Sequence, residues 1–344
     1  MHIWIILLQT ALLLGVAALL GALFERARMS ALSGYVLAGA VLGPKALNLF
    51  SASDALALMS ELGVSLLLFT IGLEFSARKL AKLGSTALLG GTLQIVLTAA
   101  AVYGGALALG MPQEVALTVG IIVAPSSTAV ALRVLRDDRE LDSDFGRNTL
   151  GILLLQDVAL VPMVLMVTAL GLGGTPLEIA AGFGKSLLIA AIMVAGFWMI
   201  IRFVLPLIFK VSSGNRDLFI LVGVTTVLLA VWTAHEFGVS PALGAFAAGI
   251  LLAESPFALQ IRADMSGLRA IFVTFFFASV GMLADFAWIP RNWLEVVALV
   301  GALMLGKAVI VMLIALILRK PVRTAIAMGL GLCMVGEFSF MLLD

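Results

Sequence analysis

The chain has 344 residues, 62% of them from the apolar set Ala, Val, Ile, Leu, Met, Phe, Trp, Tyr and Cys, with 12% charged and a formal net charge of +1. Soluble domains run near about 45–50% apolar and about a quarter charged, so a soluble fold cannot hide this much apolar surface. The composition is that of a polytopic membrane protein and excludes a disordered chain, a disulfide scaffold (Cys333 is the single cysteine) and a nucleic-acid-binding domain.

A spanning helix needs about 20 apolar residues. The apolar runs predict spans at 3–24, 31–47, 55–74, 84–110, 112–135, 147–173, 177–209, 215–236, 239–254, 267–285, 290–318 and 321–344. The runs are continuous rather than alternating, which excludes a closed β-barrel. The first run has neither a basic n-region nor a small-residue cleavage site and reads as a retained helix. Breakers mark the joints: Gly43-Pro44, Gly110-Met111-Pro112, Ser213-Gly214-Asn215 and Lys320-Pro321. Of the 21 Lys and Arg residues, sixteen fall in loops after odd-numbered spans, among them Arg78, Lys79, Lys82 and Lys210, and two, Lys45 and Arg291, in loops after even-numbered ones. The positive-inside rule then predicts an outside N-terminus and cytoplasmic basic loops.

Some ionisable residues fall within the spans, where a charge costs roughly 2.5–3.5 kcal/mol on insertion scales. Asp157, in Leu153-Leu154-Leu155-Gln156-Asp157-Val158-Ala159-Leu160, sits near the predicted mid-depth of its span. A carboxylate in a cavity can be visited in turn by a proton and a metal ion. Gln156 offers an amide oxygen beside it, and Pro162 frees a backbone carbonyl. Lys307, mid-span in Leu305-Gly306-Lys307-Ala308, calls for a partner: Asp157, a backbone carbonyl or a helix C-terminus. Gly336-Glu337 within an apolar run suggests a helix break, with Glu337 compensating the dipole of the broken end. Glu61, Lys185, Arg202 and the pair His235-Glu236 lie near span ends, where water satisfies them.

The stretch Val123-Ala124-Pro125-Ser126-Ser127-Thr128-Ala129-Val130 interrupts its span at mid-length with a proline and three hydroxyls. In lipid such a break is tolerated only against protein or a water-filled cavity, and broken helices at mid-depth point to a transporter binding site. Freed carbonyls and the hydroxyls of Ser126, Ser127 and Thr128 are hard ligands suited to alkali cations, not to transition metals. A break in the fifth span and another in the twelfth suggest inverted six-helix repeats, spans 1–6 and 8–12 with span 7 as linker. The second repeat, and the crossing count from an outside start, both ask for one helix more.

Five motifs, in order, resemble the Kef-type members of cation:proton antiporter family 2: Leu67-Leu68-Phe69-Thr70-Ile71-Gly72-Leu73-Glu74, Pro125-Ser126-Ser127-Thr128-Ala129, Leu155-Gln156-Asp157-Val158-Ala159-Leu160-Val161-Pro162, Leu243-Gly244-Ala245-Phe246-Ala247-Ala248-Gly249 and Phe275-Phe276-Phe277-Ala278-Ser279-Val280-Gly281-Met282. The resemblance runs through nearly the whole chain. It implies an all-α sodium/hydrogen-exchanger fold of thirteen helices, here twelve, with a dimerisation side and a core in which two broken helices cross. It implies that Asp157 carries the ion, that Gln156 belongs to the Kef-type Gln-Asp pair, and that Lys307 and Glu337 balance charge. It places Gln260, Arg262 and Asp264, within 257–269, where relatives carry a regulatory cytoplasmic loop, although the acidic pattern usual there is altered. Residues 1–344 form one transmembrane antiporter domain on this reading, without the soluble nucleotide-binding domain that many relatives add.

The expected function is secondary antiport of a monovalent cation, K⁺ first, against H⁺ in a bacterial-type inner membrane. Asp157 is alternately protonated and cation-bound, with Ser126, Ser127, Thr128 and Gln156 completing the cation shell. Na⁺/H⁺ exchange on the same fold, or a gated cation channel, are the alternatives that the residues leave open. The chain's histidines, His2 and His235, lie near span ends and offer neither an enzyme's His cluster nor a Ser–His pair. No cofactor is expected. Expected partners are the lipid bilayer, a second copy in a homodimer and a separate regulatory subunit, with no nucleic acid.

Overall fold

The computed structural model describes residues 2–50, 54–74, 84–171, 176–203, 216–238, 240–255, 258–285 and 288–343. Arg78, Lys79, Lys82 and Lys210 of the expected basic loops lie outside the described residues, as does Phe257. Regular structure among the described residues is helical, apart from an isolated antiparallel bridge between Ser126 and Val335. The chain divides into two compact units, each drawn from two stretches: 1–76 with 186–291, and 77–185 with 292–344.

The first unit contains α1 (His2–Arg26), α2 (Ala31–Leu42) and α3 (Asp54–Glu74) from the N-terminal stretch. Numbering on in chain order, its later stretch contributes α9 (Arg216–Glu236), α10 (Pro241–Ala253), α11 (Ala258–Leu283) and the short α12 (Trp288–Arg291). Ser30 caps α2 by accepting the Leu32 N–H, and Pro241 opens α10 at a position where its missing N–H costs nothing. Helix α3 packs along α10 and α11, and α2 along α1 and α11. The α2–α11 approach needs glycine: a Cβ on Gly39 would run into the Ala278 carbonyl, and one on Gly281 into that of Val36. Small residues let membrane helices pack backbone to backbone in this way.

One expectation is corrected here. The segment 257–269, read as a regulatory loop, is helical from Ala258 onward as the first turns of α11. Gln260 Nε2 donates to Asp264 Oδ2 at 3.1 Å, Asp264 is buried and Arg262 half-buried. The helix persists because Ile261 and Met265 recur at a four-residue interval and bury beside Gly223 of α9.

The second unit contains α4 (Ser85–Ala108), α5 (Gln113–Val123), α6 (Thr128–Asp137), α7 (Asp144–Gly171), α13 (Trp293–Ile317), α14 (Val322–Leu332) and α15 (Phe338–Leu343). Helix α8 (Pro176–Phe203) carries the chain across the division. Helix α4 packs against α5, α7 and α13, and α14 against α13 and α7. Their common core is Ala131, Ile152, Leu153, Val311, Ala315, Ala325, Met328 and Leu332. Ser143 Oγ accepts the Gly146 N–H at 2.9 Å at the start of α7, whose helix continues through Pro162. The spans expected at 112–135 and 321–344 are each two helices, interrupted at 124–127 and 333–337. The order long helix, broken helix, long helix (α4, α5/α6, α7) recurs as long helix, broken helix (α13, α14/α15).

Seven helices are long and apolar enough to cross a membrane, and five shorter apolar helices accompany them, among the described residues. Helices α1, α8 and α13 leave large apolar side chains exposed, among them Trp4, Leu8, Ile192, Trp198, Leu305 and Val309, as lipid-facing helices do. Lys185, Arg202, His235 and Glu236 are exposed, as expected, and so is Glu61.

Candidate functional site

Pro125 ends α5 because a proline cannot donate the next helical bond. Carbonyls at a helix end need partners, and those of Ile122, Val123, Ala124 and Pro125 at this break each have one. Ser339 Oγ donates to the Ile122 carbonyl at 2.6 Å. Lys307 Nζ, 1% exposed on α13, donates to the carbonyls of Val123 at 3.0 Å, Ala124 at 3.1 Å and Pro125 at 2.8 Å. Gln94 Nε2 of α4 adds a second bond to Ala124 at 3.0 Å, and the Gly336 N–H a second to Pro125 at 3.1 Å. Lys307 therefore caps the C-terminal end of α5, where the helix dipole favours a cation.

The two interruptions cross as a short antiparallel bridge. The Ser127 N–H donates to the Met334 carbonyl at 3.1 Å, opposite the Gly336-to-Pro125 bond, and Ser126 Oγ donates to the Leu332 carbonyl at 2.8 Å. Gly336 permits the approach, since a Cβ there would lie 2.9 Å from the Ser126 carbonyl oxygen. Ser127 caps α6, its Oγ accepting the Val130 N–H at 3.4 Å, and the same hydroxyl donates to Glu337 Oε2 at 3.2 Å. Glu337 directly precedes α15.

Asp157 lies half-buried on the continuous helix α7, and Thr128 Oγ1 donates to its Oδ1 at 3.4 Å. Thr128 is the first residue of α6, so the carboxylate stands at a helix N-terminus, where the dipole favours negative charge. The neighbouring Gln156 is turned into the protein. Its Oε1 accepts the Ser126 N–H at 2.9 Å, while its Nε2 donates to Gln94 Oε1 and, at 3.3 Å, to Ser126 Oγ.

The structure thus brings Asp157, Thr128, Ser127, Glu337, Ser126, Gln156 and Lys307 to one crossing, but divides them by what they touch. Asp157 and Thr128, then Ser127 and Glu337, are paired oxygen groups, hard donors of the kind alkali cations take. Ser126, Gln156 and Lys307 are engaged with the backbone of the break. The freed carbonyls, expected as ligands, are engaged as well. Gln260, Arg262 and Asp264 belong to the other unit. Sequence reasoning missed Gln94, Thr98 and Ser339. A neutral amide in the apolar run Leu93-Gln94-Ile95-Val96 was the available signal. Among the described residues, no group of three or more His, Cys, Asp or Glu side chains could hold a metal ion.

Comparison with known proteins supplies the family context. A family model described as sodium/hydrogen exchanger, transmembrane, matches residues 14–343. The chain is 34% identical over 340 residues to the glutathione-regulated potassium-efflux system protein KefC of Enterobacter sp. (strain 638), covering 97% of this chain and 54% of that protein. It is 34% identical over 341 residues to the putative K⁺ efflux antiporter KefB of Alkalimonas amylolytica, covering 98% of this chain and 51% of that protein. The chain therefore spans about half the length of these curated relatives. The structure of the sodium proton antiporter MjNhaP1 from Methanocaldococcus jannaschii superposes with a TM-score of 0.69 over 96% of this chain and 85% of that one, at 14% identity, which shows a shared fold.

Proposed function

The chain belongs to the sodium/hydrogen exchanger family of multi-pass membrane transporters, and we propose that it exchanges K⁺ for H⁺, with Asp157 taking each in turn. The observation that carries this reading is the Asp157 carboxylate on an unbroken helix, hydrogen-bonded to Thr128 at the crossing of two broken ones. The choice of K⁺ is supported by the names of relatives at 34% identity, a potassium-efflux system protein and a putative K⁺ efflux antiporter.

In this reading, ionised Asp157 and the Thr128 hydroxyl replace part of the cation's water shell, and Ser127 with Glu337 stands on the neighbouring position of the break. A proton on Asp157 removes the charge that holds the cation, so one carboxylate carries one cargo at a time. Lys307 stays with the carbonyls of α5 and keeps the break open for the hydroxyls. The Lys and Arg distribution supports an outside N-terminus.

The test is K⁺-driven proton flux in vesicles reconstituted with the chain. Wild type should acidify or alkalinise the lumen according to the K⁺ gradient, with Na⁺ a poorer driver. Asp157→Asn should abolish the flux. Undiminished flux in that variant, or preference for Na⁺, overturns the corresponding part of the reading.

A further inference from the structure

We propose that Gln94 of α4 is a positioning residue for this ion site, acting through Gln156 and the Ala124 carbonyl without touching the cation; the inference rests on the transport reading above.

Gln94 is fully buried, with 0% exposure, in the interior of a long apolar helix. An amide in such surroundings is costly unless both of its ends are matched. Here they are. Its Nε2 donates to Ala124 O at 3.0 Å and to Thr98 Oγ1 at 3.1 Å, and its Oε1 accepts from Gln156 Nε2. Both N–H donors are therefore used, and the oxygen faces another amide. Gln156 continues the relay by accepting the Ser126 N–H at 2.9 Å. A chain of amides thus ties α4 to α7 and α7 to the break.

The relay sets geometry at the carboxylate. Gln156 and Asp157 are adjacent on α7 and point about 100° apart, so the bond that holds Gln156 against Ser126 also fixes how α7 presents Asp157 to the start of α6. Thr128, two residues after Ser126, is the hydroxyl that reaches Asp157. Gln94 holds both ends of this arrangement, Gln156 on one side and the Ala124 carbonyl on the other. The residue type follows from the task, since the position must donate to a carbonyl and accept from an amide at once. A glutamic acid kept protonated by burial offers one donor where the amide offers two, and a methionine of similar size neither donates nor accepts in this way.

The experiment compares wild type with Gln94→Met, Gln156→Met, the double variant and Gln94→Glu, each as the full chain. Amide hydrogen exchange of peptides covering residues 122–130, measured in detergent, needs no transport. The apparent KM for K⁺ and the maximal flux are read separately in vesicles. Gln94→Met should speed exchange across 122–130 and raise KM about five- to tenfold, the loss of about one net hydrogen bond, with maximal flux little changed. Gln156→Met should also speed exchange across 122–130 and raise KM, and the double variant should be worse than either single variant by less than the sum, because the two amides share one bond while each keeps a contact of its own, Gln94 with Ala124 and Gln156 with Ser126. Gln94→Glu, buried and therefore favoured as the protonated acid, offers one donor where the amide offers two and should fall between; its exchange profile decides the matter if the methionine variants fold poorly.

Unchanged exchange across 122–130 in all variants overturns the proposal. So does an unchanged KM accompanied only by a lower melting temperature, which is what a packing residue would give. Additive effects overturn the route through Gln156. Flux that survives Asp157→Asn instead sinks the transport reading, and leaves the exchange result standing as a separate outcome.

Discussion

Lys307 spends all three of its ammonium hydrogens on the carbonyls of Val123, Ala124 and Pro125. If it is replaced by methionine, Ala124 keeps the bond from Gln94 and Pro125 the bond from Gly336, but the Val123 carbonyl loses the partner that Lys307 supplied. Leaving a buried carbonyl unsatisfied costs about 1–3 kcal/mol. Lys307→Met should therefore lower the thermal unfolding midpoint in detergent and loosen the break; an unaltered midpoint would deny the capping role. The lysine itself was legible in the sequence, because a charge in the middle of an apolar run needs a partner. Which partner was not legible, since Asp157 and a helix C-terminus satisfy the same chemical demand at different places in space. Gln94 escaped notice for the opposite reason: a neutral amide makes a weaker demand than a charge, and its value lies in two contacts remote in sequence, at Ala124 and Gln156.

The two broken helices depend on each other. Neither interruption has a sheet to join, so each uses the other's backbone, and the approach is close enough that Gly336 cannot carry a side chain without displacing the Ser126 carbonyl. Gly336→Ala should cut K⁺-driven flux by about tenfold or more, as misplacement by a fraction of an ångström does at other positioned sites, while leaving helical content by circular dichroism unchanged. Full flux in that variant would mean that the crossing tolerates widening. Pro125 announced the first break in the sequence. The second has no proline, and Gly336-Glu337 gave only a hint of what is an interruption over 333–337. The segment beginning at Ala258 was misread in the other direction: the resemblance placed Gln260, Arg262 and Asp264 in a loop, yet Ile261 and Met265 keep the helical interval and bury. Interval, not polarity, decided the backbone there.

At the scale of the whole molecule, each unit is assembled from stretches far apart in the chain, with 77–185 joined by 292–344. A linear reading finds the recurring order of long and broken helices but cannot show that residues more than 200 positions apart, Ser127 and Glu337, share a hydrogen bond. It does reach the family, because the motifs along the chain are local. The claim on which the functional account stands is that one carboxylate serves two cargoes in competition. It is tested most directly by measuring the apparent KM for K⁺ in vesicles across a range of pH. Competition at Asp157 predicts a KM that climbs as pH falls, approaching about tenfold per pH unit once the carboxylate is mostly protonated, with the maximal rate at saturating K⁺ little affected by this competition. A KM that stays constant across the whole range would contradict it.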